Sequence, residues 1–279
     1  LKKDISFYTK VSENLITIHH LRELIKRLQK QGPEILFFRG ISLLGDVYPS
    51  LGDREMLDVD VLVREGDLKR LTEVLKAMGL EETDPRIFNK AGFNLDIHTS
   101  FLNLSRSILE RSSLTVSMED VFRRSISKRL EDLEIKTPCP EHLFISTAIH
   151  LQSHSFGSHK GWEDLVRIKE YYGFSNEAIL SEAKKMGAER TLVYLSFLHP
   201  DLFPSWTGKI SLGERWILDK IKGGTINQNF GDLLFLFSSR KKGDALKEIF
   251  FPQGISLGVI GDRIRKCLFL LRDIITRSK

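Results

Sequence analysis

Two short segments fix the architecture more firmly than anything else in this chain. Leu57-Asp58-Val59-Asp60-Val61-Leu62-Val63 and Phe93-Asn94-Leu95-Asp96-Ile97-His98 both put apolar residues at odd positions and polar ones at 58, 60, 94, 96 and 98. Side chains alternate across a strand with period two, so each segment reads as a strand with one apolar and one acidic face. If the two pair in a sheet, Asp58, Asp60 and Asp96 converge on one surface. Three carboxylates so close repel one another unless they are fully hydrated or share a cation. An all-oxygen ligand set suits Mg²⁺ or Mn²⁺.

The surrounding pattern places these strands in a small α+β unit. Leu15, Ile18, Leu21, Ile25 and Leu28 recur at helical spacing, predicting a helix over 13–30 that Gly32-Pro33 stops. A buried strand over 34–38 follows, then Arg39-Gly40-Ile41-Ser42 and a brief helix to about Val47. After a loop over 48–55 and the first acidic strand, Leu68–Met78 reads as an amphipathic helix closed by Gly79. Arg86–Lys90 and Phe93–Thr99 form a predicted hairpin around Ala91-Gly92. The order implies a mixed or antiparallel sheet with helices, not a doubly wound one.

Beyond residue 100 the strand signal nearly vanishes. Only Leu133–Lys136 reads as a further strand, ended by Thr137-Pro138-Cys139-Pro140. Helical patterns then cover roughly 140–154, 161–172, 175–187, 189–199, 212–222, 230–238, 243–250 and 256–277. We therefore expect a mixed domain over 1–138 and an all-helical C-terminal domain over 139–279.

No apolar run approaches the ~20 residues of a membrane span, and the N-terminal residues lack a signal peptide's apolar block. Two cysteines without CxxC spacing give no disulfide framework, so a reducing cytoplasm is expected. Residues 202–279 hold 14 Lys/Arg against 7 Asp/Glu, whereas the remainder holds 28 against 30. That asymmetry suits an anionic partner such as nucleic acid, or simply solvated helix faces.

Several residues near the acidic strands carry chemistry. Gly40, between a buried strand and a helix, permits a turn whose backbone N–H groups approach an anion, with Arg39 and Ser42 beside it. Equally, it is a turn and N-cap with no ligand. Arg54 either neutralises a phosphate or pairs with Asp53 or Glu55. His98 shares the face of Asp96 and either contacts a nucleotide or is a strand-surface histidine. His150 and His154, four apart on a helix, have metal-gripping spacing, but no HExxH acid accompanies them.

Together these residues resemble the nucleotidyltransferases of the DNA polymerase-β-like superfamily: a small-residue turn at Gly40 and Ser42, Asp58-x-Asp60 on the next strand, and a third acid, Asp96, on a later one. The resemblance is closest to a bacterial group of uncharacterised nucleotidyltransferases. It rests on Arg39-Gly40, Tyr48-Pro49, Arg54 four residues before Asp58-Val59-Asp60-Val61-Leu62-Val63, Asp96-Ile97-His98, Pro140-Glu141-His142-Leu143 and Trp162. It spans roughly residues 15–175. Arg39 stands where Lys is more usual, Ile41 replaces a second small residue, and the aspartate often found late in the Trp-containing helix is not evident, since Lys169-Glu170 occupies that region.

The resemblance implies transfer of an NMP from an NTP, ATP being the natural candidate, to a small-molecule, protein or RNA hydroxyl. Asp58, Asp60 and Asp96 would be catalytic and hold Mg²⁺ or Mn²⁺. Arg39, Gly40, Ser42, Arg54 and His98 would bind the nucleotide. The departures at positions 39 and 41 leave a second expectation open: a degenerate relative that binds nucleotide or protein without turnover.

Overall fold

The computed structural model describes residues 4–102, 114–203, 206, 208–224 and 231–238. The helices expected over 243–250 and 256–277 lie outside the described residues. The fold is α+β, with an N-terminal mixed sheet followed by helices.

The chain divides into two compact units. The first comprises residues 4–102 with Val116–Thr147 and Asp164–Phe174. It opens on helix α1 (Ile5–Gln31), which starts earlier than its apolar spacing predicts because Asp4 caps it, accepting from Phe7 N at 2.9 Å. Ile18, Leu21 and Leu24 are its buried face. Strand β1 (Ile35–Phe38), the single turn α2 (Gly40–Leu43), strand β2 (Val59–Val63) and helix α3 (Leu68–Ala77) follow. Strands β3 (Glu81–Asp84), β4 (Ile87–Lys90) and β5 (Phe93–His98) complete a five-stranded sheet ordered β1-β2-β5-β4-β3.

β2 and β5 run parallel at its centre, and every other pairing is antiparallel. β1 and β2 are buried along their whole length. One sheet face presents Val59, Val61, Leu95 and Ile97, all buried, and α1 packs on β5 and α3. The β4–β5 hairpin turns at Ala91 (φ 49°) and Gly92 (φ 82°), two successive positive-φ residues whose twist matches the strands they join.

Two strands escaped the sequence reading for the same reason. β3 is Glu-Glu-Thr-Asp, exposed throughout, and lies at the sheet edge, where charge discourages further pairing. β6 (Ile126–Leu130) is largely solvent-facing and pairs with β7 (Leu133–Thr137), whose alternating burial made it legible. Helix α4 (Met118–Arg123), capped by Ser117, leads into this hairpin, and β7 lies beside β1. Pro140 then opens helix α5 (Pro140–Ser153), and helix α6 (His159–Tyr172) returns to the first unit from Asp164 onward.

The described part of the second unit is helical. Its helices α7 (Asn176–Met186), α8 (Glu189–Leu198), α9 (Leu212–Lys222) and α10 (Gly231–Ser238) fall where their periodicity predicts. Ser175 caps α7, and Gly187 ends it in the left-handed conformation. Ser211 and Glu214 cap α9 reciprocally. Among the described residues, no helix is long and apolar enough to cross a membrane.

Candidate active site

The parallel register of the central strands sets the site. Asp60 pairs with Asp96 across β2 and β5, and Asp60 also faces Phe38 at the end of β1. His98, two residues beyond Asp96, falls on the same face. Its Nε2 lies 2.8 Å from Asp60 Oδ1 and 3.3 Å from Asp96 Oδ2. A nitrogen flanked by two carboxylates carries its proton, so His98 acts as a donor between them. Burial works against the imidazolium, but the bonds to Asp60 and Asp96 outweigh it, and the His98 pKa stands above its ordinary value. Phe38 meets the imidazole edge-on, with ring centroids 5.1 Å apart.

The acidic face is not a fully hydrated one. Asp60 and His98 are each 4% exposed, while Asp96 is half-buried. Asp58 stands just before β2, outside the ladder, and is exposed. Its carboxyl is nevertheless held above the usual carboxylate range, first by lost hydration and then by the Asp60 charge. Asp96 adds to this, while Arg39 and His98 oppose it. For an exposed residue the neighbouring charges are the cause that water leaves standing. Asp60, Asp96 and His98 each offer a ligand atom, all within 4.8 Å of one another. Asp58 is outside that close group, so the tight constellation has a histidine where three acids were expected.

Arg39 closes the other side. It follows β1 with φ 56° and ψ −131°, a conformation that costs a non-glycine residue about 1–3 kcal/mol. Its side chain and carbonyl both hold it there. Nη1 donates to Asp60 Oδ1 at 2.7 Å, and the carbonyl accepts from Ser42 N at 3.1 Å and Ser42 Oγ at 2.7 Å. Arg39 Nε is buried and has no hydrogen-bond partner among the described residues. Ser42 is fully buried with its hydroxyl committed to this turn.

Arg54 forms no ion pair with Asp53 or Glu55, although its Nη1 donates to Glu55 O at 3.4 Å. It forms a two-pronged ion pair with Asp164, 2.9 Å from Nε and 2.8 Å from Nη2. Tyr48 donates to the same carboxylate at 2.8 Å. Burial disfavours the charged guanidinium, yet Asp164 and, more weakly, Tyr48 and Asp60 raise its pKa. The loop is anchored from behind by Asn14, fully buried, which donates to Leu51 O at 2.6 Å and Arg54 O at 2.8 Å. Gly40 matters through this arginine: a Cβ there would lie 2.4 Å from Arg54 Nη1. Arg39, Gly40, Arg54, Asp60, Asp96 and His98 thus gather at the β1–α2 turn and the two central strands.

The sequence reading missed Asp164. The expected aspartate was late in the Trp162 helix, whereas the buried one is early. The signal was present, because Asp164 shares an apolar stripe with Leu165 and Ile168, where an unpartnered charge is costly. His150 and His154 stand edge to face at 4.6 Å, and among the described residues no third ligand joins them in a metal-sized group.

A family described as uncharacterised nucleotidyltransferase matches residues 6–204. The chain belongs to that family. No curated protein and no solved structure matches it. The matched stretch of this nucleotidyltransferase relative takes in the whole five-stranded sheet, the β6–β7 hairpin and every residue of the candidate site, Asp164 included.

Proposed function

We propose that this protein transfers a nucleoside monophosphate from an NTP, with ATP first among candidates, to a hydroxyl acceptor, using Mg²⁺ or Mn²⁺. The observation that carries this reading is the register pairing of Asp60 with Asp96, with His98 and Arg39 both bonded to Asp60 and Asp58 at its edge. The family supplies the reaction class. The donor set fits a divalent cation: carboxylates at Asp58, Asp60 and Asp96, with the Asp58 pKa raised by lost hydration and then by the Asp60 and Asp96 charges. His98, its Nε2 engaged between Asp60 and Asp96, orients those carboxylates and leaves the ion to oxygen donors, which suit either cation.

Bound there, such an ion would supply charge neutralisation at the transferring phosphoryl group. The chain's own residues do the rest. Asp60, buried and held by two cations, sets the position of the cluster. Asp96, half-buried at the edge of the same face, is placed to take the acceptor's hydroxyl proton. Arg39 and Arg54 border the β1–α2 turn as cationic partners for phosphate oxygens, which they bind through planar donor pairs. The chemistry is assigned to residues 1–138 with Asp164 as a later contribution, and the helices beyond 139 to the acceptor.

Asp58→Asn is the cleanest probe, because an exposed carboxylate can lose its charge without leaving a buried ion unpaired. We expect pyrophosphate release from Mg²⁺-NTP to fall by at least about 100-fold in this variant, in line with removal of one charge-stabilising group, while its melting temperature stays near wild type. Wild-type turnover in that variant would remove the cation assignment.

One observation favours a second reading, a nucleotide-binding relative without turnover. Asp60 Oδ1 is already shared by Arg39 and His98, an arrangement that neutralises the carboxylate internally. Calorimetric titration of ATP with and without Mg²⁺ separates the two: metal-dependent binding without pyrophosphate release selects the second.

A further inference from the structure

Helix α6 carries an acid that touches none of the carboxylate cluster, yet holds one of its cations. Asp164 lies 110 residues along the chain from Arg54 and takes both Nε and Nη2 of that guanidinium, with side chains only 10% and 7% exposed. Two parallel bonds fix the plane of a guanidinium as one cannot. Tyr48 adds a third donor to the same carboxylate, so Asp164 is itself immobilised. The donors left over are the second N–H of Nη2 and the two on Nη1. Nη1 rests against the bare α-carbon of Gly40, and its one hydrogen bond among the described residues is a long 3.4 Å contact to Glu55 O. Gly40 adjoins Arg39, which holds Asp60 at 2.7 Å.

A second consequence follows from charge. Arg54 feels the Asp60 charge and, if loose, would be drawn toward that carboxylate. Asp164 ties it through Nε and Nη2, leaving the Nη1 side of its fork against the Gly40 backbone.

We infer that Asp164 is a positioning residue: through Arg54 it sets the edge of the site that receives the terminal phosphates of a nucleoside triphosphate. The inference rests on the transferase reading given above. A buried carboxylate placed for stability alone would change melting temperature when altered, but not substrate recognition. A positioning residue changes the KM for nucleotide more than kcat, and does so only while Arg54 is present.

The test compares wild type, Asp164→Asn, Asp164→Glu, Arg54→Gln and the Arg54→Gln/Asp164→Asn double variant. Each of the four Mg²⁺-NTPs is the probe, with pyrophosphate release and calorimetric binding as readouts and thermal melting to verify folding. Expected is a rise in nucleotide KM of about 10- to 100-fold for Asp164→Asn, the range typical when the partner orienting a binding group is lost. The change in kcat should be smaller, Asp164→Glu should recover part of the loss, and the double variant should be no worse than Arg54→Gln alone. Unchanged KM in a folded Asp164→Asn, or additive losses in the double variant, overturns the role. If Asp164→Asn does not fold, Tyr48→Phe removes one bond to the same carboxylate. It should raise KM about 2- to 10-fold, and no change there overturns the role equally. A wild type that neither binds nor turns over any of the four nucleotides defeats the transferase reading and this inference with it. An active wild type with an indifferent Asp164 defeats only the inference.

Discussion

Gly40 shows how one missing methyl group decides what a site can hold. The contact a Cβ would make, 2.4 Å to Arg54 Nη1, falls on the end of a long side chain that ordinarily moves aside at little cost. Here Asp164 grips the other two guanidinium nitrogens, so the arginine has nowhere to go without breaking a buried pair. Gly40→Ala is therefore expected to destabilise the fold by about 1–3 kcal/mol, as overpacking does. Gly66→Ala, at an exposed glycine with open space around it, should stay within about 0.5 kcal/mol of wild type. Urea denaturation of both variants measures the difference. Equal stabilities would mean that Arg54 is free to swing, contrary to the two-pronged pairing. Arg39 makes the complementary point. Its positive-φ backbone is kept by bonds from both its carbonyl and its side chain, so the strain is localised where Asp60 must be met.

At the scale of elements, the β6–β7 hairpin is tied to the turn after β1 by a single lysine. Lys128 Nζ donates to Ser42 O at 2.9 Å and to the Asp46 carboxylate, which also accepts from Tyr172 of α6 at 3.0 Å. Burial lowers the Lys128 pKa more than Asp46 restores it, and desolvation with the Asp46 charge pushes the Tyr172 hydroxyl far above its usual range. The lysine stays because it satisfies a backbone carbonyl and an acid that neighbouring elements leave together. Lys128→Met should cost about 3 kcal/mol, the lower end for breaking a buried ion pair, since Asp46 keeps Tyr172 and its bond from Val47 N. Adding Asp46→Asn should return part of that loss. A double-variant cycle in chemical denaturation checks it, and strictly additive losses would show the pair to be uncoupled.

The molecule as a whole has a buried acid outside the candidate site whose titration should be visible in stability. Glu214 of α9 is 2% exposed and accepts from Tyr194 Oη at 2.6 Å and Ser211 N at 2.7 Å, besides pairing with Arg190. Burial alone would raise its pKa, but Tyr194, Arg190 and Ser211 together bring it below the ordinary value. A carboxyl depressed in the folded state lends stability that is fully present above the unfolded pKa of about 4.3 and is lost as pH falls through the lower folded value. Thermal unfolding from neutral pH downward should therefore show a loss of stability below about pH 4.3 that is smaller in Glu214→Gln. Identical acid profiles would show that this network does not prefer the ionised form. All these residues belong to the second unit, so the effect should appear in the unfolding of its helices and not in the Asp60 site.

Local pattern alone was enough for the elements that bury a face. Alternation in 57–63 and 93–98, the 3.6-residue spacing in the helices and the Ala91-Gly92 turn all respond to short-range sterics and to which side chains leave water. It also placed Asp60, Asp96 and His98 in one phase, because phase along a strand is a property of the sequence. It could not place β3 or β6, whose exposed residues lack an apolar face to mark them. Nor could it show that Asp60 is buried, that His98 joins the acids, or that Arg54 chooses Asp164 over its sequence neighbours. Those outcomes depend on strand register and on contacts spanning 38 and 110 residues. Such distances close only when the folded chain brings a buried charge and its counter-charge together, because leaving either unpaired costs more than the reach.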